Sequence, residues 1–279
     1  MKTTKNPIFL IPTDFSEVCT NAARRAASMA KDYNYKLVLL HVIDKNTLSE
    51  LKKENKGLEW INIKLQELAN SLVSEFVIQV ETLAREGDIF TTIAEVAEDL
   101  NASLIFLGTH GKVGMQKVTG SFALKVITSS EVPTIVVQKR PFGQGISKIV
   151  MPITSDTGPW AKTKWAASIA KEFNAKIMIY HLPGDELEDV ITMITNHFTV
   201  NDVNFTIEAA EKGGNFTKQV IDYATAENAD MILIMTNPDK SLRSFLLGSY
   251  DEDIIFNASQ IPVMCINPRD FNWKKIVPR

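Results

Sequence analysis

The feature that most restricts this chain is that its sequence runs through nearly the same pattern twice. Setting the residues from Ile149 onward beneath those from Phe9 onward aligns Pro12 with Pro152, Ala26-Ala27-Ser28 with Ala166-Ala167-Ser168 and Ala30-Lys31 with Ala170-Lys171. The same register, an offset of 140 residues (152 less 12), puts Asn34 on Asn174, Lys36 on Lys176 and His41 on His181. Further on, Asn101-Ala102 meets Asn228-Ala229, Gly120-Ser121 meets Gly248-Ser249 and Pro133 meets Pro262, so the second copy has a smaller middle section. A repeat unit of this length is a duplicated domain, not a solenoid module, and 279 residues suffice for two domains that each bury a core. The stretch Lys139-Arg140-Pro141-Phe142-Gly143-Gln144-Gly145 reads as the linker. The expected domains are 1–139 and 146–268, with 269–279 as a tail.

Within the first copy, Pro7 to Ile11 reads as a short buried strand and Pro12-Thr13-Asp14-Phe15-Ser16 as a turn rich in side-chain oxygens. From Glu17, the residues Cys19, Ala22, Ala23, Ala26, Ala27, Met29 and Ala30 form a small-residue helix face stopped by Asn34. Leu37 to Ile43 is an apolar run suited to a parallel strand covered on both faces. One long helical pattern spans Leu48 to Glu75, a third strand is expected over Phe76 to Leu83, and Gly87 breaks the chain before a helix over Thr91 to Leu100. Strands at Leu104 to Leu107 and Pro133 to Val137 complete a set of five, alternating with helices, which is an α/β sheet by element order.

The stretch from Leu104 to Ser121, LIFLGTHGKVGMQKVTGS, concentrates the chemistry. An apolar strand breaks into Gly108 and Gly111, and Gly120-Ser121 reads as the opening of an amphipathic helix through Phe122, Val126 and Ile127. Glycine leaves no Cβ between a phosphate and the backbone N–H groups, and a helix N-terminus adds unpaired donors and partial positive charge. Thr109 and Ser121 could each add a hydroxyl. The same residues could equally make a tight βα turn followed by a helix cap.

A net charge of -3 and a pI near 5.9 argue against a general electrostatic grip on nucleic acid or anionic membrane. The apolar segment Ile8 to Ile11 is too short for a signal-peptide core, and no uncharged run reaches membrane-spanning length. The two cysteines, Cys19 and Cys265, have no metal-like spacing. A cytoplasmic protein with idle thiols is expected.

These residues resemble the universal stress protein family, as two fused copies across nearly the whole chain. The resemblance implies two tandem Rossmann-like (adenine nucleotide alpha hydrolase-like) α/β domains, each with a five-stranded parallel sheet flanked by helices. ATP-binding members share a signature of glycine, two residues, glycine, nine residues, glycine and a hydroxyl residue. Gly108-Thr109-His110-Gly111 and Gly120-Ser121 follow it, with eight residues in the longer gap. Pro12-Thr13-Asp14 and His41-Val42 match the family's adenosine-contacting segments. By that resemblance Asp14 and Val42 hold base and ribose, Gly108 and Gly111 admit the phosphates, and Gly120, Ser121 and the Phe122 backbone donate to them. Pro12, Thr13, Thr109 and His110 complete the candidate site. Read from the residues alone, Asp14 serves well as a helix cap, Lys112 and Lys117 as solvated loop lysines, His41 as a packed strand histidine and His110 as a loop residue without a nucleophile to serve.

The second copy keeps the frame and loses the chemistry: Thr154 stands for Asp14, Leu182 for Val42, Met235 for Gly108 and Pro238 for Gly111, with Asp239, Asp251, Glu252 and Asp253 close by. One nucleotide site per chain is therefore expected, in the first domain, for ATP or else ADP or AMP, with or without Mg2+. With no Gly-Lys-Ser/Thr loop and no His/Cys cluster, binding is expected in preference to turnover, slow ATP hydrolysis being the most an enzyme reading allows. The alternative is a dimeric interaction module that binds no nucleotide. In the family the fifth strand pairs across a two-fold axis, so the expected assemblies are an intramolecular pseudo-dimer and, beyond it, a homodimer, with protein partners unknown.

Overall fold

The computed structural model describes residues 7–110, 117–140, 145–154, 159–236 and 249–267, with 117–121, 159 and 249 described as backbone alone. Its contacts divide the chain into two compact units, Met1–Phe142 and Gly143–Val277.

Unit 1 runs β1 (Ile8–Pro12), α1 (Glu17–Tyr33), β2 (Lys36–Ile43), α2 (Lys45–Lys53), α3 (Glu59–Phe76), β3 (Val80–Glu86), α4 (Ile89–Asp99), β4 (Leu104–Gly108), α5 (Lys117–Ser129) and β5 (Thr134–Val137). Its strands are parallel in the order β3-β2-β1-β4-β5. The chain winds outward in one direction from β1 through β2 to β3 and then returns to β4 on β1's other side. The boundary between β1 and β4 is thus a topological switch point, where open α/β sheets bind ligands at the carboxyl ends of their strands.

The apolar runs form the central strands as expected, with Phe9, Leu10, Ile11, Leu37, Leu39, Leu40, Ile105 and Phe106 all at 0% exposure. Burying each such side chain is worth about 1.5–3 kcal/mol. The alanine face of α1 lets its backbone lie close to the sheet, with Ala22, Ala23, Ala26 and Ala27 fully covered. Ser16 caps this helix, accepting from the Cys19 N–H at 3.4 Å, and Asn34 ends it in the left-handed conformation (φ 57). The repeated asparagines share that conformation: Asn101, Asn174 and Asn228 have φ 51, 49 and 55. Asparagine tolerates this region better than other side-bearing residues, which gives a physical reason for its recurrence at equivalent positions.

Several boundaries differ from expectation. The long helical pattern is two helices, α2 and α3, separated where Asn55 adopts φ 52. The third strand begins at Val80, because α3 continues through Phe76 and ends on Val77 with φ 58. α5 begins at Lys117, so Gly120 and Ser121 lie inside the helix and do not open it.

Unit 2 runs β6 (Lys148–Ile153), α6 (Pro159–Phe173), β7 (Lys176–His181), a 3-10 turn at Asp185–Leu187, α7 (Glu188–Val200), β8 (Phe205–Ala209), α8 (Phe216–Ala226), β9 (Met231–Met235), α9 (Ser249–Ile255) and β10 (Val263–Ile266). The parallel order β8-β7-β6-β9-β10 repeats that of unit 1. Between β7 and β8 a short turn and a single helix stand where unit 1 has α2 and α3. The offset accordingly falls from 140 at His41 to 125 at Val80 (205 less 80), a loss of 15 residues (140 less 125) in this connection, and settles at 127 by Asn101 (228 less 101). No helix among the described residues is long and apolar enough to cross a membrane.

Candidate functional site

Unit 1 has a cavity of about 350 Å3 at the carboxyl ends of β2, β1 and β4. Its wall brings together Pro12, Thr13, Asp14, Val42, Gly108, Thr109, His110 and Phe122 from four separate stretches of sequence. Gly111 lies outside the described residues, and Gly120 and Ser121 are placed only as backbone in the first turns of α5. The size lies at the lower end of small-molecule sites.

The turn after β1 is built by its own side chains. The Thr13 hydroxyl accepts from the Phe15 N–H at 3.0 Å, and Asp14 Oδ1 accepts from the Ser16 N–H at 2.9 Å. The cap of α1 is thus Ser16, which frees Asp14 from the role of helix cap and leaves it at the cleft wall. Partial burial pushes the Asp14 carboxyl up, but hydrogen bonds from Ser16 and Cys19 outweigh it and hold the pKa below the ordinary value. Asp14 therefore presents a carboxylate at neutral pH. Beside it, burial and the Asp14 charge push the Cys19 thiol up to about 12, so this thiol is inert.

His41 is a packed residue, 7% exposed. Its Nδ1 lies 2.8 Å from the Thr13 carbonyl, which can only accept, so Nδ1 carries the proton. Phe15, itself at φ 66, stacks on the imidazole with centroids 4.8 Å apart. Burial lowers the His41 pKa against the opposing pull of the Thr13 carbonyl and of Asp14, Asp44 and Glu50. The ring stays neutral at pH 7 and holds the turn in place.

At the glycine end, a Cβ on Gly108 would lie 2.7 Å from Cys19 N and from the Val18 carbonyl carbon and oxygen. The close approach of α1 to β4 by itself demands glycine here. Thr109 is 3% exposed and donates its N–H to the Val137 carbonyl at 2.9 Å, so that donor belongs to the sheet. Phe122 stacks on Phe90 at 5.2 Å and, with Ile89, Ile93 and Val126, gives the cleft an apolar side.

The sequence reading missed a whole wall. Asp44, Asn46, Thr47 and Glu50, at the start of α2 and along it, line the cavity. Asp44 caps α2, accepting from the Thr47 N–H at 2.8 Å and the Thr47 hydroxyl at 3.0 Å. The capping pattern was visible in the sequence, but nothing there showed which way the helix faced.

In unit 2 bulkier side chains stand at several of the equivalent positions. At the offsets of the repeat, Tyr180 replaces Leu40, Phe216 replaces Ile89 and Tyr250 replaces Phe122. Their rings stack, Tyr180 on Phe216 at 5.9 Å and Phe216 on Tyr250 at 6.2 Å, and Tyr223 stacks on Tyr180 at 4.5 Å. Lys162 takes the place of Ala22 and donates its ammonium to the Pro152 carbonyl at 2.6 Å. Asp251, in the place of Ala123, faces it electrostatically. Burial lowers the Lys162 pKa to about 8 and raises that of Asp251 to about 6, each partly offset by the other's charge. An open depression of about 580 Å3 remains further out, by the ends of β7 and β8, and touches neither β6 nor β9.

Among the described residues no three His, Cys, Asp or Glu side chains group to hold a metal ion. A sequence profile described as the universal stress protein family matches residues 6–138. A universal stress protein of Methanocaldococcus jannaschii is 33% identical over 143 residues, 47% of this chain and 81% of its own length. One of Synechocystis is 34% identical over 132 residues, 46% of this chain and 83% of its own. Among solved structures, a universal stress protein of Archaeoglobus fulgidus superimposes with a TM-score of 0.75 at 19% identity, covering 93% of this chain and 98% of its own. That last likeness bears on the fold and runs through both units.

Proposed function

This chain belongs to the universal stress protein family, and from that premise we propose that unit 1 binds an adenine nucleotide, ATP foremost, to serve a regulatory role in a cytoplasmic stress response. The observation that carries this reading is the cleft itself. Pro12 to Asp14, Val42, Gly108 to His110 and Phe122 converge on one cavity at the switch point of the sheet. The Asp14 carboxylate and the Val42 strand end would hold the nucleoside. The glycine end and the first turn of α5, a helix of 13 residues, would face the phosphates with backbone dipoles.

The chemistry on the wall favours binding over turnover. The histidine at its centre is neutral, with Nδ1 committed to Thr13, and the cysteine is inert. A bound nucleotide regulates only if it favours one state of the protein over another, and the loop between β4 and α5 is where contact with phosphate would exert that bias. One observation favours the alternative of an interaction module without nucleotide: the glycine at 108 is accounted for by helix packing alone.

Calorimetric titration of ATP, ADP and AMP into the full chain, with and without Mg2+, tests the proposal. Saturable binding that Asp14→Ala weakens at least tenfold supports it. A folded chain that binds none of the three contradicts it and favours the interaction module.

A further inference from the structure

We propose that the α2 wall of the unit 1 cleft, with Glu50 as its uncommitted acceptor, confines the site to nucleotides whose ribose 2′ and 3′ oxygens carry no phosphate. The inference rests on the reading that unit 1 binds an adenine nucleotide and specifies which ones.

Three carboxylates line the cavity, Asp14, Asp44 and Glu50, and no lysine or arginine does so among the described residues. They are differently engaged. Asp44 spends both oxygens on its helix, Oδ1 on Thr47 and Oδ2 on the Asn46 amide at 3.2 Å. Asp14 accepts from the Ser16 N–H. The Glu50 carboxylate makes no hydrogen bond or ion pair among the described residues, and it stands exposed on α2, one helical turn beyond Asn46 and Thr47 on the same face. Asp44 thus supplies charge, while Glu50 offers free lone pairs.

The charges act in concert: all three carboxylates bear on His41, whose 7% exposed ring lines the cleft and has an Nε2 without a partner. His41 remains neutral and adds no positive charge to offset them. A ribose hydroxyl can donate to a carboxylate, whereas a phosphate on that oxygen has no donor to offer and brings about two negative charges toward three others. The 5′-phosphates avoid this penalty by extending toward the glycine end, away from α2. Unit 2 lacks the α2 segment.

The test is a calorimetric comparison of AMP with adenosine 3′,5′-bisphosphate and adenosine 2′,5′-bisphosphate on the full chain at low salt. The wild type should bind AMP at least tenfold more tightly than either bisphosphate, and the gap should narrow as salt shortens the screening length. Glu50→Lys, on an exposed helix position, should bring both bisphosphates within about threefold of AMP; because a bisphosphate carries about two more negative charges than AMP, Glu54→Lys, the same charge change at an exposed position outside the cavity lining, is the control and should leave the gap wide. Equal binding of AMP and the bisphosphates by the wild type, or a gap that Glu50→Lys leaves intact, overturns the inference and spares the nucleotide reading. Failure of the folded wild type to bind AMP or ATP overturns both.

Discussion

Ala22 and Lys162 occupy one place in the repeat, and around them the two units put the same frame to opposite uses. In unit 1 the position is a fully covered alanine, and Gly108 and Ala123 keep the strand ends clear. In unit 2 the matching residues are Lys162, Met235 and Asp251, stacked aromatic rings stand on the apolar side, and the α2 wall is missing. Strand order, left-handed asparagines and the buried strands are common to both. The frame therefore depends on apolar runs and caps common to both, while a handful of side chains differs at the switch point.

The largest expected effect comes from importing unit 2's residue into unit 1. Gly108→Met places a Cβ against the α1 backbone, and it should abolish nucleotide binding and destabilise unit 1 by about 2–3 kcal/mol. Calorimetry and hydrogen exchange in β1 and β4 read both effects. Tight binding by this variant would mean that the glycine is dispensable and the comparison misplaced.

A second effect, of intermediate size, concerns pH. The folded Asp251 has a pKa raised from 3.8 to about 6, so its contribution is fully present below pH 4 and lost as pH rises through 6. The folded Lys162 has a pKa lowered from 10.5 to about 8, so its contribution is fully present above pH 10.5 and lost as pH falls through 8. Unit 2 should be least stable between those two midpoints, by on the order of 1–2 kcal/mol after discounting for partial exposure. The double variant Lys162→Ala/Asp251→Ala, which restores unit 1's residues, should flatten the profile measured by hydrogen exchange in β6 and β9. A profile unchanged by the double variant would show that this pair does not set it.

The smallest effect is at the ring stack. The Tyr250 hydroxyl is buried without a hydrogen-bond partner among the described residues, and burial raises its pKa well above the ordinary phenol value. Tyr250→Phe, unit 1's residue, should stabilise unit 2 by up to about 1 kcal/mol, seen as a higher urea midpoint. A loss of stability would mean that the hydroxyl has a partner.

Much of this was legible before any coordinates. The central strands read as apolar runs, and the alanine face of α1 and its stop at Asn34 announced themselves by spacing. The end of α3 did not, because Val77 is a poor candidate for a left-handed cap. Nor did the start of α5, where a glycine-hydroxyl pair that looks like a helix opening lies inside the helix. Asp14, Val42 and Gly108 could be named as a site by pattern, but the α2 wall looks in sequence like any solvated helix face. The electrostatic influence of Lys162 and Asp251 on each other links α6 to α9, a tertiary relation that no periodicity encodes.

The asymmetry between the units is tested most directly by hydrogen exchange on the full chain with and without saturating ATP. The account predicts slowed exchange at residues 12–19, 40–50 and 107–110, and no change at 152–154, 180–186 and 235–236. Protection in both units, or in unit 2 alone, would contradict it.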